Sequence, residues 1–159
     1  MKLILLFCSS MMILSAAFSC TLFGVAPVNS TANVQVAENK DFPTSVLQAA
    51  ANASQAWLSL LDRNLYAESW STLSSLTKLT IRKDEWVEIL EKTRRPLGGV
   101  GSRQVVDERT AKDPGGMPKG DYIVMFYKTQ FSRKAGFELV TLYLEDGKWV
   151  VSTYQVDGQ

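Results

Sequence analysis

Apolar residues recur at three- and four-residue steps between Thr44 and Leu61, where Val46, Leu47, Ala50, Ala53, Trp57, Leu58 and Leu61 fall on one side of a helix. Pro43 and Thr44 suit its start. Asp62-Arg63-Asn64 suits its stop, because Asn tolerates the left-handed backbone that ends a helix. A shorter second helix follows with Tyr66, Trp70 and Leu73 on one face, and a third carries Trp86, Ile89 and Leu90. The third ends near Arg94-Arg95-Pro96-Leu97-Gly98, since Pro96 disfavours helix at Arg95 and Gly98 suits the turn beyond. After Gly98 the period changes from helical to alternating. Ser102–Thr110, Tyr122–Phe131, Phe137–Leu144 and Lys148–Val156 read as strands, the second being richest in aromatic and β-branched residues. Pro114, Gly115, Gly116, Pro118 and Gly120 make residues 111–120 a loop, and Asp146-Gly147 signals a tight hairpin turn. Three helices followed by four strands in a meander predict an α+β domain, with the N-terminal helices packed on one face of an antiparallel sheet.

The start of the chain follows a different pattern. Lys2 supplies one positive charge, residues 3–18 form a nearly unbroken apolar run, and small residues lead to Cys20. That arrangement is expected of a secretory signal peptide over residues 1–19, and the run is short for a bilayer span. Ala17-Phe18-Ser19-Cys20 resembles the lipobox of bacterial lipoproteins, in which the cysteine is acylated and becomes the new N-terminus. Ser19 fits that pattern well and Phe18 is bulky for it. Ordinary cleavage near the same point is the alternative. By resemblance, Thr21 after the cysteine points to the outer membrane. The expected organisation is therefore a leader over 1–19, a flexible spacer over 20–41 that is poor in charge and without period, and a single α+β domain over 42–159. The expected location is outside the cytoplasm, lipid-anchored in the periplasm or outer membrane, or else secreted.

Cysteine content narrows this further. Cys8 lies in the leader, so only Cys20 would remain and no intramolecular disulfide is expected. Without Lys2 the basic and acidic residues balance, which argues against general nucleic-acid binding. The charge is nevertheless uneven. Residues 92–134 hold 10 basic and 4 acidic side chains, between flanks with an acidic excess. That middle could face anionic lipid or glycan, or pair with the flanks across the fold.

The element order resembles cystatin-like and nuclear-transport-factor-2-like folds, and Leu61-Asp62-Arg63-Asn64-Leu65-Tyr66 is similar to the joint between the first two helices of the latter. At residue level the chain resembles an uncharacterised bacterial family, domain of unknown function 4019. The matching pieces are Trp57-Leu58 with Asp62, Tyr66 and Trp70 spaced after it, Trp86, Arg94-Arg95-Pro96-Leu97-Gly98 and Ser102-Arg103. Downstream they are Pro118-Lys119-Gly120-Asp121-Tyr122, Phe131, Glu138, and Asp146-Gly147-Lys148-Trp149 with Tyr154. The resemblance implies an exported bacterial domain and carries no activity, substrate or catalytic residue.

The chemistry open to the chain is limited. With no histidine, Ser-His-Asp and Cys-His nucleophile systems and imidazole-ligated zinc are excluded. No EF-hand-like acidic spacing is present, so no metal and no cofactor is expected. Ser75-Leu76-Thr77-Lys78 matches the Ser-x-x-Lys pattern of penicillin-recognising enzymes, but the companion motifs are missing, and the four residues read as the end of the second helix. Gly98-Gly99-Val100-Gly101 lacks the context of a phosphate loop, because a helix precedes it and a strand follows. Glu138 alternates onto the face of Val140 and Leu142; if that face is buried, Arg103 or Arg94 is expected to pair with it. Trp57, Trp70, Trp86 and Trp149 read as core residues rather than glycan-stacking rings.

Two functions follow as expectations. The first is a non-enzymatic module of the cell envelope, lipid-anchored through Cys20 or secreted, contacting protein, lipid or glycan. The second is a ligand-binding or enzymatic cone of the nuclear-transport-factor-2-like kind, whose pocket would use Tyr66, Trp70, Arg103, Tyr122 and Glu138. An enclosed polar cavity favours the second, and a filled core the first.

Overall fold

The computed structural model describes residues 42–158. The expected leader, Cys20 and the spacer lie outside the described residues. The described chain opens on Phe42, whose ring meets Trp149 edge-on at 6.0 Å. Helix α1 (Thr44–Asp62) buries Ala50, Trp57, Leu58 and Leu61, the stripe its periodicity sets out. It ends where Asn64 takes a left-handed backbone, φ 58°, and the Leu65 amide bonds back to the Leu60 carbonyl at 2.8 Å.

Among the described residues there are four α-helices, not three. α2 (Tyr66–Ser71) and α3 (Ser75–Thr80) are separate, and α4 (Lys83–Thr93) follows. The break falls at Leu73-Ser74. The Ser74 backbone is extended, and its hydroxyl accepts from the Thr77 amide at 3.2 Å, capping a new helix. The Ser-x-x-Lys residues therefore open α3 instead of closing the second helix. α3 buries none of its residues and shows no apolar stripe, so periodicity could not reveal it. It is held from outside itself: the Ser74 amide bonds to the Val151 carbonyl at 2.9 Å, and the Thr77 hydroxyl donates to the Ser152 carbonyl at 2.7 Å. α4 buries Trp86 and Leu90, whereas Ile89, expected on the same face, is 46% exposed. Its start is secured by the Glu85 carboxylate, which accepts the Arg82 amide at 3.3 Å. A 3-10 turn, Arg95–Leu97, leads to Gly98 at φ 85°.

The strands are β1 (Val100–Lys112), β2 (Asp121–Phe131), β3 (Ala135–Glu145) and β4 (Lys148–Gly158), antiparallel in the order β1-β2-β3-β4. Each extends a little beyond its alternating core, because ladder bonds continue past the last patterned side chain. Asp146 and Gly147 both take positive φ, 50° and 74°, as a two-residue hairpin with right-handed twist requires. One sheet face is covered. Ile123, Met125 and Tyr127 of β2, Val140 and Leu142 of β3, and Val151 and Tyr154 of β4 form one core with Trp57, Leu58, Leu61, Tyr66, Leu73, Trp86 and Leu90. The chain is thus α+β with its helices on the inner face of a four-stranded antiparallel sheet.

Candidate functional site

Alternation along β3 places Glu138 on the inner face, where it is 1% exposed. A carboxylate so deep is stable only if its charge and lone pairs are met. Strand β2 brings the Thr129 hydroxyl, which donates to Oε2 at 2.6 Å, and β4 brings the Tyr154 hydroxyl, which donates to Oε1 at 2.7 Å. Arg103 of β1 donates from Nε to Oε2 at 2.7 Å. Its two terminal nitrogens reach Asp62 at the end of α1, each at 2.9 Å, in the fork geometry that matches a carboxylate. Arg94, just after α4 and 2% exposed, donates from Nη2 to Asp62 Oδ1 at 2.9 Å and from Nη1 to the Gly98 carbonyl at 3.0 Å. Its Nε lies 3.5 Å from Glu138 Oε1 and makes no hydrogen bond, so this contact is one of charge alone. The guanidinium also lies over the Phe131 ring, 4.4 Å from its centre.

Two guanidiniums and two carboxylates therefore neutralise each other at the junction of α1, the end of α4 and the whole sheet. Burial would depress the Arg103 guanidinium, but its bonds to Asp62 and Glu138 push it above its ordinary range. Burial, and next to it the Glu138 charge, hold the Tyr154 phenol well above its usual value. The group stays a neutral donor. Both carboxylates of the cluster accept from a guanidinium.

Of the residues expected to line a pocket, Arg103 and Glu138 come together in this cluster, as an ion pair. Tyr66 is close enough to feel Arg94 and Asp62, but burial comes first in raising its phenol, and its hydroxyl donates to Asn64 Oδ1 at 2.9 Å. Trp70 lies apart, donating from Nε1 to the Ile81 carbonyl at 3.1 Å with Lys78 over its ring. Tyr122 is on the other face of the sheet, stacked on Tyr143 at 4.9 Å and donating to the Pro118 carbonyl at 2.9 Å. The sequence reading missed Asp62, Thr129 and Tyr154 as members. Thr129 and Tyr154 sit on inner-face positions of their strands and could have been found by register. Asp62 was read as a helix stop and as part of the family resemblance, not as an ion partner.

A second buried polar node joins three helices. Trp57 Nε1 donates to the Ser69 carbonyl at 3.1 Å, Trp86 Nε1 to the Ser69 hydroxyl at 3.0 Å, and that hydroxyl to the Tyr66 carbonyl at 2.8 Å. The Ser-x-x-Lys pair is engaged elsewhere. The Ser75 hydroxyl bonds Glu145, and Lys78 Nζ donates to the Ser71 carbonyl at 2.6 Å. Among the described residues, no group of three acidic or cysteine side chains could hold a metal ion, and no helix is long and apolar enough to cross a membrane.

Two open grooves cross the described surface. One of about 330 Å³ lies between α1 and β4, with Ala53, Leu60, Arg63, Trp149 and Val150 in its walls. Another of about 410 Å³ crosses the outer sheet face over Phe126, Phe137 and Leu139.

A family model described as a protein of unknown function (DUF4019) matches residues 53–154. No curated protein and no solved structure matches the chain. The matched span holds the whole of the ion cluster, from Asp62 to Tyr154.

Proposed function

The chain belongs to the DUF4019 family of proteins of unknown function, and we propose that it is an exported module of the bacterial cell envelope that acts by binding rather than by catalysis. The observation that carries this reading is the mutual neutralisation of the ion cluster. Arg103 and Glu138, the side chains best suited to chemistry in a pocket, are spent on each other, on Asp62 and on Tyr154, with Glu138 1% exposed. What remains for a partner is open surface, and the groove between α1 and β4 offers an apolar floor with one cation, Arg63, at its rim. A protein, lipid or glycan partner would meet the domain there.

Export and tethering rest on the leader pattern and on Cys20. For the fold we favour a cystatin-like or nuclear-transport-factor-2-like class, supported by helices that precede a meander and cover one of its faces. The test is intact-mass spectrometry on bacterial membrane fractions beside a Cys20→Ser variant. A diacyl or triacyl mass on Cys20, with Cys20→Ser moving to the soluble fraction, is the expected result. An unmodified chain retaining its leader in the cytoplasm would overturn export, and an unmodified cleaved chain in the soluble fraction would overturn the tether.

A further inference from the structure

The outer face of the sheet is more apolar than a solvated face need be. Phe126, Phe137 and Leu139 lie in one groove, with Val106 at the bulge of β1 beside them. Val106 is 52% and Phe137 41% exposed. The loop between β1 and β2 already covers one end of this face, where the Tyr143 hydroxyl donates to the Lys119 carbonyl and Tyr122 to Pro118. Arg109, paired with Asp107, lies over the Phe126 ring at 4.8 Å; Phe137 and Val106 beside it stay exposed, and patches of this kind mark contact surfaces.

The charges around the patch say what fits it. Phe137 pairs across the ladder with Lys128 on β2 and with Asp157 on β4. Both neighbours are exposed, and neither has an ion pair among the described residues. Two strand spacings, about 9.6 Å, separate them, with the Phe137 ring between. Opposite charges set symmetrically about an apolar centre are the pattern of a surface that is its own complement.

We propose that this face binds a second copy of the chain, sheet against sheet, about a two-fold axis running along β3. Such an axis places Phe137 and Leu139 of one copy over the same residues of the other, at the spacing of aligned sheets. It sets Lys128 of each copy over Asp157 of the other, so each charge gains the partner it lacks within the chain. The inference is independent of export and of the lipid on Cys20.

The experiment is sedimentation equilibrium on the full chain carrying Cys20→Ser, purified from whichever cell fraction holds it, over a roughly hundredfold range of concentration. The same measurement is made on Lys128→Glu, Asp157→Lys and the double reversal, with thermal melts to verify folding. The expected result is a concentration-dependent dimer that each single reversal weakens at least about tenfold and that the double reversal restores. A monomer at every concentration would overturn the proposal. So would a dimer indifferent to the single reversals, or one that the double reversal fails to rescue.

Discussion

Glu138→Gln tests whether the ion cluster is a structural clamp. The substitution keeps the shape of the side chain and removes its charge. The new carboxamide oxygen can still accept from Thr129 and Arg103, at the positions now 2.6 and 2.7 Å from Oε2. Its NH2 then faces the Tyr154 hydroxyl, which can rotate to accept, and Arg94 Nε, which cannot. Two guanidiniums, 2% and 14% exposed at the side chain, are left with the single charge of Asp62. Removing one partner of a buried pair costs about 3–5 kcal/mol, and the lower end applies because Asp62 still neutralises one cation. For a domain of this size about 3 kcal/mol corresponds to roughly 12 °C in melting temperature. Thermal and urea unfolding followed by circular dichroism give the answer. Asp62→Asn should cost less, because the Asp62 side chain is 27% exposed and water can reach the groups it leaves. If Glu138→Gln melts within about 2 °C of the parent, the clamp is refuted and Glu138 returns as a pocket acid.

The alkaline limb of stability should depend on Tyr154. Its folded-state value stands well above 10.0, so above about pH 10 the unfolded chain releases a proton that the folded chain keeps. Stability present below that pH is then lost as pH rises, by up to about 1.4 kcal/mol per pH unit for each such tyrosine. Tyr154→Phe should flatten this limb in pH-dependent urea midpoints while lowering stability at neutral pH, and an unchanged alkaline slope would count against it. Ser69→Ala leaves Trp86 Nε1 without its acceptor and should cost about 1–3 kcal/mol in urea unfolding monitored by tryptophan fluorescence. A loss below about 0.5 kcal/mol would show that water replaces the hydroxyl.

Many of the residues that carry the family resemblance are buried or half-buried, and these are the ones that hold the elements together. Asp62, Arg94, Arg103, Phe131, Glu138 and Tyr154 tie helices to sheet, and Trp57 and Trp86 meet at Ser69. A resemblance borne by such residues identifies a fold more readily than an activity, since packing and ion pairing constrain them whatever the surface does.

Local sequence determined the parts of the structure that depend on near neighbours. The apolar stripe of α1 drives its burial, Asn64 supplies the left-handed stop, Asp146-Gly147 supplies the hairpin turn, and alternation along β2 and β3 decides which side chains face inward. It also specified that Glu138 would need a cation. Tertiary structure alone decided the rest. α3, opened by the local Ser74 cap, is fastened because Ser74 and Thr77 find carbonyls on β4, more than 70 residues away in the chain. Arg103 reaches Asp62 and Glu138 together only because the end of α1 stands over the sheet where β1 and β3 present them. Periodicity reports the face on which a side chain lies. Partners contributed by six elements are set by how those elements pack, and no local pattern encodes that.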